Sequence, residues 1–165
     1  MSLTPEVSTF AVRRSIHVNA APERVWDEFS SFARMNAWWG IVTGEPQAGT
    51  SKGQWLEVYE PRRGGRIRMA VNWDGSRVAY GGEIKRFEPG TELTFENDWI
   101  PNRGWRAPTL ITIRLKPAPG GTMVELFHYG FELIGDDAGP THAAYEAGWG
   151  ITQLAELKRI LEAAA

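Results

Sequence analysis

The sequence contains no cysteine, which excludes disulfide bonds, thiolate metal sites and a cysteine nucleophile. It has only three histidines scattered over 165 residues, so we predict neither a metal site nor a cofactor. The motifs HExxH, GxSxG and GxGxxG are also missing, which excludes the signatures of zinc proteases, serine esterases and dinucleotide-binding folds.

The sequence also lacks long apolar runs and a dominant charge. No apolar stretch approaches the roughly 18 residues of a membrane span, and the N-terminus lacks the pattern of a signal peptide. We therefore predict a cytoplasmic protein without a membrane span. The 18 basic and 20 acidic residues give a net charge of −2, and basic and aromatic residues do not interleave on one face, which predicts no nucleic-acid partner. A homodimer is left open.

What is present is an ordinary globular composition with many tryptophans. A chain of this length buries roughly 70% of its unfolded surface, so we predict a single domain over residues 1–165. The eight tryptophans provide a large aromatic surface for a core or for a pocket. Trp105 stands alone in a proline-rich loop and is either a lid over a pocket or a cover for its own loop.

The sequence pattern predicts β-strands over most of the chain. Alternating apolar residues predict a first strand over residues 9–19, and Pro22 begins the first of two short helices that reach to about Trp38. An irregular glycine-rich stretch, residues 40–53, predicts a surface loop, and Asp74-Gly75 predicts a tight hairpin turn. Six further strands without intervening helices predict an antiparallel meander: residues 54–60, 66–73, 77–87, 91–99, 109–116 and 122–132.

The last stretch, residues 137–165, predicts one long amphipathic helix. Its inner face is predicted to carry large residues in the C-terminal half and small residues in the N-terminal half. These residues are Leu154, Leu157 and Leu161, and Ala143, Ala147 and Gly150, with Ile151 between the two groups. The small residues either leave room for a ligand or let the helix pack closer to the sheet.

These elements predict an α+β helix-grip fold. Seven antiparallel strands must bury one face, and only the C-terminal helix is long enough to cover that face. The sheet is therefore expected to curl around the helix, with the two short helices between strands 1 and 2. Because a strongly curved sheet cannot touch a straight helix everywhere, we expect a cavity between them, widest beside the small residues.

Five stretches of the sequence resemble a known family. They read IHVNAAPERVWDEFSSFARMNAWWG, GGRIRMAV, YGGEIKRFEPGTELTFEN, VELFHYGF and GWGITQLAELKRILE, at residues 16–40, 64–71, 80–97, 124–131 and 148–162. In this order they resemble the START-like (SRPBCC) superfamily, in the branch homologous to the heat-shock chaperone ATPase activator. Residues 99–108 depart from the pattern, since this chain is longer and richer in proline there.

The resemblance implies a hydrophobic ligand cavity. Members of the superfamily bind lipids, sterols, hormones or polyketides, or use the cavity as an aromatase or cyclase. We therefore predict that the chain binds a hydrophobic or aromatic small molecule between the sheet and the C-terminal helix. The predicted ligand-binding residues are Met69, Val71, Tyr80, Phe95, Asn97, Ile111, Ile113, Leu126, His128, Ala147 and Ile151.

Two alternatives remain open. One is an enzyme of the cyclase or dehydratase type that uses the same cavity, with His128, Asn97 and Tyr80 as candidate acid–base residues. His128 serves this hypothesis only if it faces inward, and a histidine among apolar neighbours is also typical of an ordinary core. The other is a chaperone-regulating interaction domain, whose one candidate surface is the basic hairpin of Arg62, Arg63, Arg66 and Arg68. Such a charged hairpin is also typical of solvated surface.

Overall fold

The structure, a computed structural model, describes residues 10–40, 54–73 and 76–163. Seven strands form one antiparallel sheet in the order β1-β7-β6-β5-β4-β3-β2. The strands are β1 (Val12–Val18), β2 (Gln54–Tyr59), β3 (Arg66–Trp73), β4 (Ser76–Glu88), β5 (Glu92–Ile100), β6 (Thr109–Ala118) and β7 (Gly121–Tyr129). The predicted helix-grip fold, with a curved sheet around a C-terminal helical segment, is confirmed.

Two short helices connect β1 to β2, as the sequence predicts. Pro22 lies in the first turn of α1 (Pro22–Trp26), and α2 (Phe32–Met35) begins after Ser31, whose hydroxyl accepts a hydrogen bond from the Arg34 backbone N–H. The buried Glu28 carboxylate, between the two helices, accepts hydrogen bonds from Arg24 (2.9 Å) and Arg34 (2.8 Å). Helix α1 contacts β6 and β7, and α2 contacts β2. Residues 41–53 of the predicted loop and the predicted turn at residues 74–75 lie outside the described residues.

Strand β7 shows why the register of the sheet is well determined. Val124, Leu126 and His128 are fully buried. Each of them pairs with a buried residue of β6. Phe127 and Tyr129 alternate with them on the other face and are partly exposed. Because a slip of one residue would exchange the two faces, burial of the apolar set fixes this register. The predicted inward orientation of His128 is therefore confirmed.

The core fills the concave side of the sheet. It brings together the short helices, the inward residues of the strands and α4. Its members include Val25, Phe29, Trp38, Trp39, Met69, Ile84, Leu93, Phe95, Ile111, Ile113, Val124, Leu126, Leu154, Leu157 and Leu161. The predicted burial of the three leucines of the C-terminal helix is confirmed. No helix within the described residues is both long and apolar enough to cross a membrane.

The C-terminal helical segment is divided into two helices, α3 (Ala138–Glu146) and α4 (Ile151–Ala163). The chain leaves helical geometry between them, and Gly150 has φ +90°, a conformation that glycine adopts at little cost. The break turns α3 relative to α4, so one helical projection cannot describe both. The prediction that Ala143, Ala147 and Ile151 face the sheet is therefore wrong, since Ala143 and Ala147 are exposed and Ile151 is 55% exposed.

Candidate functional site

A cleft of about 680 Å³ lies between α3 and the neighbouring ends of β2, β3, β4 and β5. We call it the aromatic cleft because five of its lining residues are Tyr or Trp. Its lining consists of Gln54, Val71, Tyr80, Trp99, Arg103, Trp105, Asp137, Pro140, Thr141, Ala144, Tyr145 and Trp149. The cleft borders the half of the C-terminal segment where the sequence predicts room, although it faces a different side of the helix.

The aromatic rings of the cleft contact one another in two groups. On the sheet side, the ring of Trp99 lies 5.9 Å from that of Tyr80 and 6.3 Å from that of Trp105, measured between centroids. On the helix side, the rings of Tyr145 and Trp149 lie 5.7 Å apart. All of these pairs are edge-to-face, the arrangement that aromatic quadrupoles favour. The cleft therefore offers aromatic surface on two sides.

The loop between β5 and β6 is held by the side chains of Asp98 and Asn102. Asn102 Nδ2 donates to Asp98 Oδ2 (2.7 Å) and to the Trp105 carbonyl (3.2 Å), while Asn102 Oδ1 accepts from Gly104 N (2.7 Å). The Arg103 guanidinium lies over the ring of Trp99 at 5.0 Å. These contacts place Trp105 in the lining of the cleft, and its predicted role as a lid stays a prediction.

Two of the residues that line the cleft, Tyr80 and Tyr145, are phenols. The Tyr80 hydroxyl donates to Gln54 Oε1 (2.5 Å), and Gln54 Nε2 in turn donates to the Trp39 carbonyl (3.3 Å). Burial raises the pKa of Tyr80 far above its ordinary value. Burial also raises the pKa of Tyr145 to about 12, against a hydrogen bond from the Asn97 side chain that lowers it. Both phenols therefore keep their protons at neutral pH.

His128 lies behind Tyr145 and Trp149 and does not line the cleft. Its ring centroid is 4.7 Å from that of Tyr145 and 4.8 Å from that of Trp149. Thr109 Oγ1 donates its one proton to the Asn97 carbonyl (2.8 Å), so it accepts from His128 Nε2 (2.7 Å). Nε2 therefore carries the ring proton, and Nδ1 has no hydrogen-bond partner among the described residues.

The environment of His128 makes it a weak base. Burial, with a smaller contribution from His142, lowers the pKa of His128 to about 3. General bases work best when their pKa lies near the working pH, so an imidazole with this pKa is a poor proton acceptor at neutral pH. The buried ring acts mainly as packing beneath the cleft.

The predicted ligand-binding residues are found in four places. Val71 and Tyr80 line the cleft, and Asn97 and His128 lie behind Tyr145. Five others are closely packed in the core and do not line the cleft: Met69, Phe95, Ile111, Ile113 and Leu126. Ala147 and Ile151 are exposed at the break between the helices.

The sequence prediction missed most of the aromatic lining. Trp99, Tyr145 and Trp149 were not among the predicted residues, although all three line the cleft. A signal was present in the sequence, because Thr141 and Tyr145 of α3 and Trp149, just after its end, are spaced by four residues and all line the cleft. This face carries polar and aromatic residues. A hydrophobicity pattern selects the most apolar face of a helix and therefore does not identify it.

A second cleft of about 690 Å³ lies on the opposite face of the sheet. It is lined by charged and hydroxyl side chains from five strands. The Glu92 carboxylate accepts hydrogen bonds from Arg86 (3.0 Å) and Arg114 (3.3 Å), so these lining charges are already paired. A paired, solvated face of this kind carries little binding information, and we assign the candidate site to the aromatic cleft.

The described residues contain no group of three or more His, Asp or Glu side chains arranged to hold a metal ion. The site therefore consists of aromatic rings, two phenols and one charge of each sign, Arg103 and Asp137.

Solved structures of similar fold cover nearly the whole chain. A protein from Chromobacterium violaceum has a TM-score of 0.69 at 22% identity, over 94% of this chain and 99% of its own. The AHSA1 protein from Silicibacter pomeroyi has a TM-score of 0.67 at 21% identity, over 94% and 99%. DynU16, a protein of the dynemicin biosynthetic locus, has a TM-score of 0.61 at 20% identity, over 95% of this chain and 49% of its own. At these identities the similarity shows the fold alone.

Comparison with sequence families is more specific. No curated protein matches the sequence. A family model, described as activator of Hsp90 ATPase homolog 1-like protein, matches residues 19–162. This match begins directly after β1 and spans every later element of the fold to the last turn of α4. The chain therefore belongs to the family of activator of Hsp90 ATPase homolog 1-like proteins.

Proposed function

We propose that the chain binds a hydrophobic, aromatic small molecule in the aromatic cleft. The observation that carries the proposal is the lining itself, in which five Tyr and Trp rings surround about 680 Å³ between the sheet and α3. A volume of this size is typical of small-molecule sites, and planar ligands gain stacking energy from such rings. The helix-grip fold, which leaves space between sheet and helix, supports the same conclusion.

Neither alternative function has a comparable observation behind it. An enzyme that uses His128 as its base would need this side chain in the cleft, but the ring lies behind Tyr145 and its pKa is lowered to about 3. A chaperone-regulating role, which the family description suggests, would need a free charged surface. In the basic hairpin, Arg62 pairs with Glu60 and Arg68 pairs with Glu57.

The proposal is tested by filling the cleft from α3. Ala144 lines the cleft, whereas Ala147, three residues later, is exposed and outside it. We expect Ala144→Trp to weaken binding of the neutral dye N-phenyl-1-naphthylamine at least about tenfold, because the indole occupies the ligand volume. The matched control Ala147→Trp should bind the dye like the wild-type protein. Dye binding is followed by its fluorescence, and thermal unfolding of both variants establishes that they are folded.

Equal dye affinity in the two variants, or no saturable binding by the wild-type protein, would place the ligand elsewhere and contradict the proposal.

A further inference from the structure

We infer that the ligand of the aromatic cleft is an aromatic carboxylate, and that Arg103 binds its carboxylate group. This inference rests on the proposed function, because it names the chemical class of the ligand in the same cleft. Three features of the lining support it: the position of the Arg103 guanidinium, its lack of an anionic partner among the described residues, and the location of the one lining anion at the start of a helix.

The Arg103 guanidinium lies beside the aromatic rings on the sheet side of the cleft. It is 5.0 Å from the centroid of the Trp99 ring, and that ring contacts the rings of Tyr80 (5.9 Å) and Trp105 (6.3 Å). The hydrogen bonds of the neighbouring Asn102 side chain hold the loop that carries Arg103. A planar ligand that packs against these rings therefore lies close to a cation whose position is already set.

The charge of Arg103 is not paired within the part of the chain that the structure describes. Among those residues, the guanidinium makes no ion pair with a carboxylate, and its one side-chain contact of a polar kind is with the ring of Trp99. Attraction to the ring quadrupole positions the guanidinium without neutralising it. The second cleft differs, because there Arg86 and Arg114 share the Glu92 carboxylate. The N–H groups of Arg103 are therefore available to a ligand.

The one anion of the lining, Asp137, does not cancel this charge. It forms no ion pair with Arg103 or with another of the described residues, and it is the residue directly before α3. Its side chain makes no capping hydrogen bond there. The positive end of the helix dipole stabilises a negative charge at this position. Asp137 is thus compensated by α3, and Arg103 remains as the uncompensated charge of the cleft.

These charges select an aromatic carboxylate as the ligand. A carboxylate is planar and accepts two parallel hydrogen bonds from a guanidinium, a geometry that a neutral amide cannot reproduce. Because Arg103 is exposed, a carboxylate bound to it keeps part of its hydration while the aromatic part of the ligand packs against the rings. A cationic ligand on the same rings would be repelled by Arg103.

Three naphthalene derivatives of nearly equal shape test this inference on the wild-type protein at neutral pH. Naphthalene-2-carboxylate is an anion, naphthalene-2-carboxamide is neutral, and naphthalene-2-carboxamidine is a cation. We expect the carboxylate to bind about three- to tenfold more tightly than the amide, the range for an ion pair at an exposed arginine, and the amidine to bind most weakly. The preference should shrink at high salt, which screens exposed charges.

Affinities are measured by displacement of N-phenyl-1-naphthylamine, so that all three probes report on the site of the dye, and are checked by calorimetry.

Two variants that remove the same charge from the same loop locate the cation. Arg103→Gln should reduce the preference for the carboxylate over the amide to about one. Arg106→Gln is the matched control and should keep the preference, because Arg106 lies beside Gly135 and does not line the cleft. The affinity for the neutral amide is the reference within each variant, since it responds to changes in the rings but not to the charge. Thermal unfolding establishes that both variants are folded.

The possible failures are separate. Equal affinity for the three probes, a preference for the amidine, or a carboxylate preference that is the same in Arg103→Gln and Arg106→Gln overturns this inference and leaves the proposed function standing. If Arg103→Gln does not fold, the ranking of the probes on the wild-type protein still decides whether an anion is preferred. Absence of binding by all three probes, together with no dye binding, overturns the proposed function itself.

Discussion

The Arg14 guanidinium donates a hydrogen bond from Nη2 to the Glu146 carbonyl oxygen at 2.8 Å, which ties the first strand to the last turn of α3. Arg14 Nε donates to a second carbonyl, that of Trp149, at 3.1 Å. Carbonyls at the end of a helix lack intrahelical donors, and a cation there also interacts favourably with the negative end of the helix dipole. One side chain thus holds the break between α3 and α4, and with it one wall of the aromatic cleft.

Removal of the Arg14 guanidinium should therefore destabilise the protein. We expect Arg14→Leu to lower the free energy of unfolding by about 1.5–3 kcal/mol, the range for hydrogen bonds made by a charged group. The control is Arg13→Leu, on the opposite face of β1, which should change stability by less than about 0.5 kcal/mol. Both values come from urea denaturation. Equal losses in the two variants would show that Arg14 does not hold the α3–α4 break.

We expect a side chain at position 150 to lower the stability of the protein. Gly150 has φ +90°, and an added Cβ would meet Arg14 and Leu126 at ordinary contact distances of 3.5–3.6 Å. The cost of Gly150→Ala is therefore backbone strain rather than a clash, about 1–2 kcal/mol. Gly148→Ala is the matched control, since its Cβ would have no atom within 4 Å and its φ is ordinary. It should be neutral or slightly stabilising.

Thermal and urea unfolding measure both glycine variants. A Gly150→Ala protein as stable as Gly148→Ala would mean that the chain does not need the left-handed turn between the helices.

The buried His128 should make stability depend on pH. Burial lowers its pKa to about 3 in the folded protein, against 6.5 in the unfolded chain. Between these values the unfolded chain binds a proton that the folded protein does not, so acidification favours unfolding. The free energy of unfolding should fall as pH decreases from 6.5, approaching about 1.4 kcal/mol per pH unit from this one group, and should level off above 6.5.

The variant His128→Gln removes this titration and should flatten the fall in stability between pH 6.5 and 4.5 relative to the wild-type protein. Urea midpoints at several pH values measure the difference. His17→Gln is the control, because His17 is only partly buried and contacts the Pro119 carbonyl at the surface. An unchanged pH slope in His128→Gln would contradict a buried, neutral imidazole in the wild-type fold.

The sequence by itself determined the strands, the antiparallel meander from β2 to β7 and the buried half of the C-terminal segment. In β7, strict alternation of Val124, Leu126 and His128 with partly exposed residues leaves one register that buries the apolar set. In α4, Leu154, Leu157 and Leu161 repeat at the spacing of one helical face, and all three are buried. These patterns are local, so they can be read without knowing what they pack against.

Tertiary structure alone decided where the cleft lies and which residues line it. The turn at Gly150, stabilised by Arg14 from a strand more than a hundred residues earlier in the chain, rotates α3 so that Tyr145 faces the cleft and Ala147 faces solvent. The loop after β5 brings Trp105 beside Trp99 through the side chain of Asn102. Both arrangements depend on the relative orientation of neighbouring elements, and residue spacing within one element contains no information about that orientation.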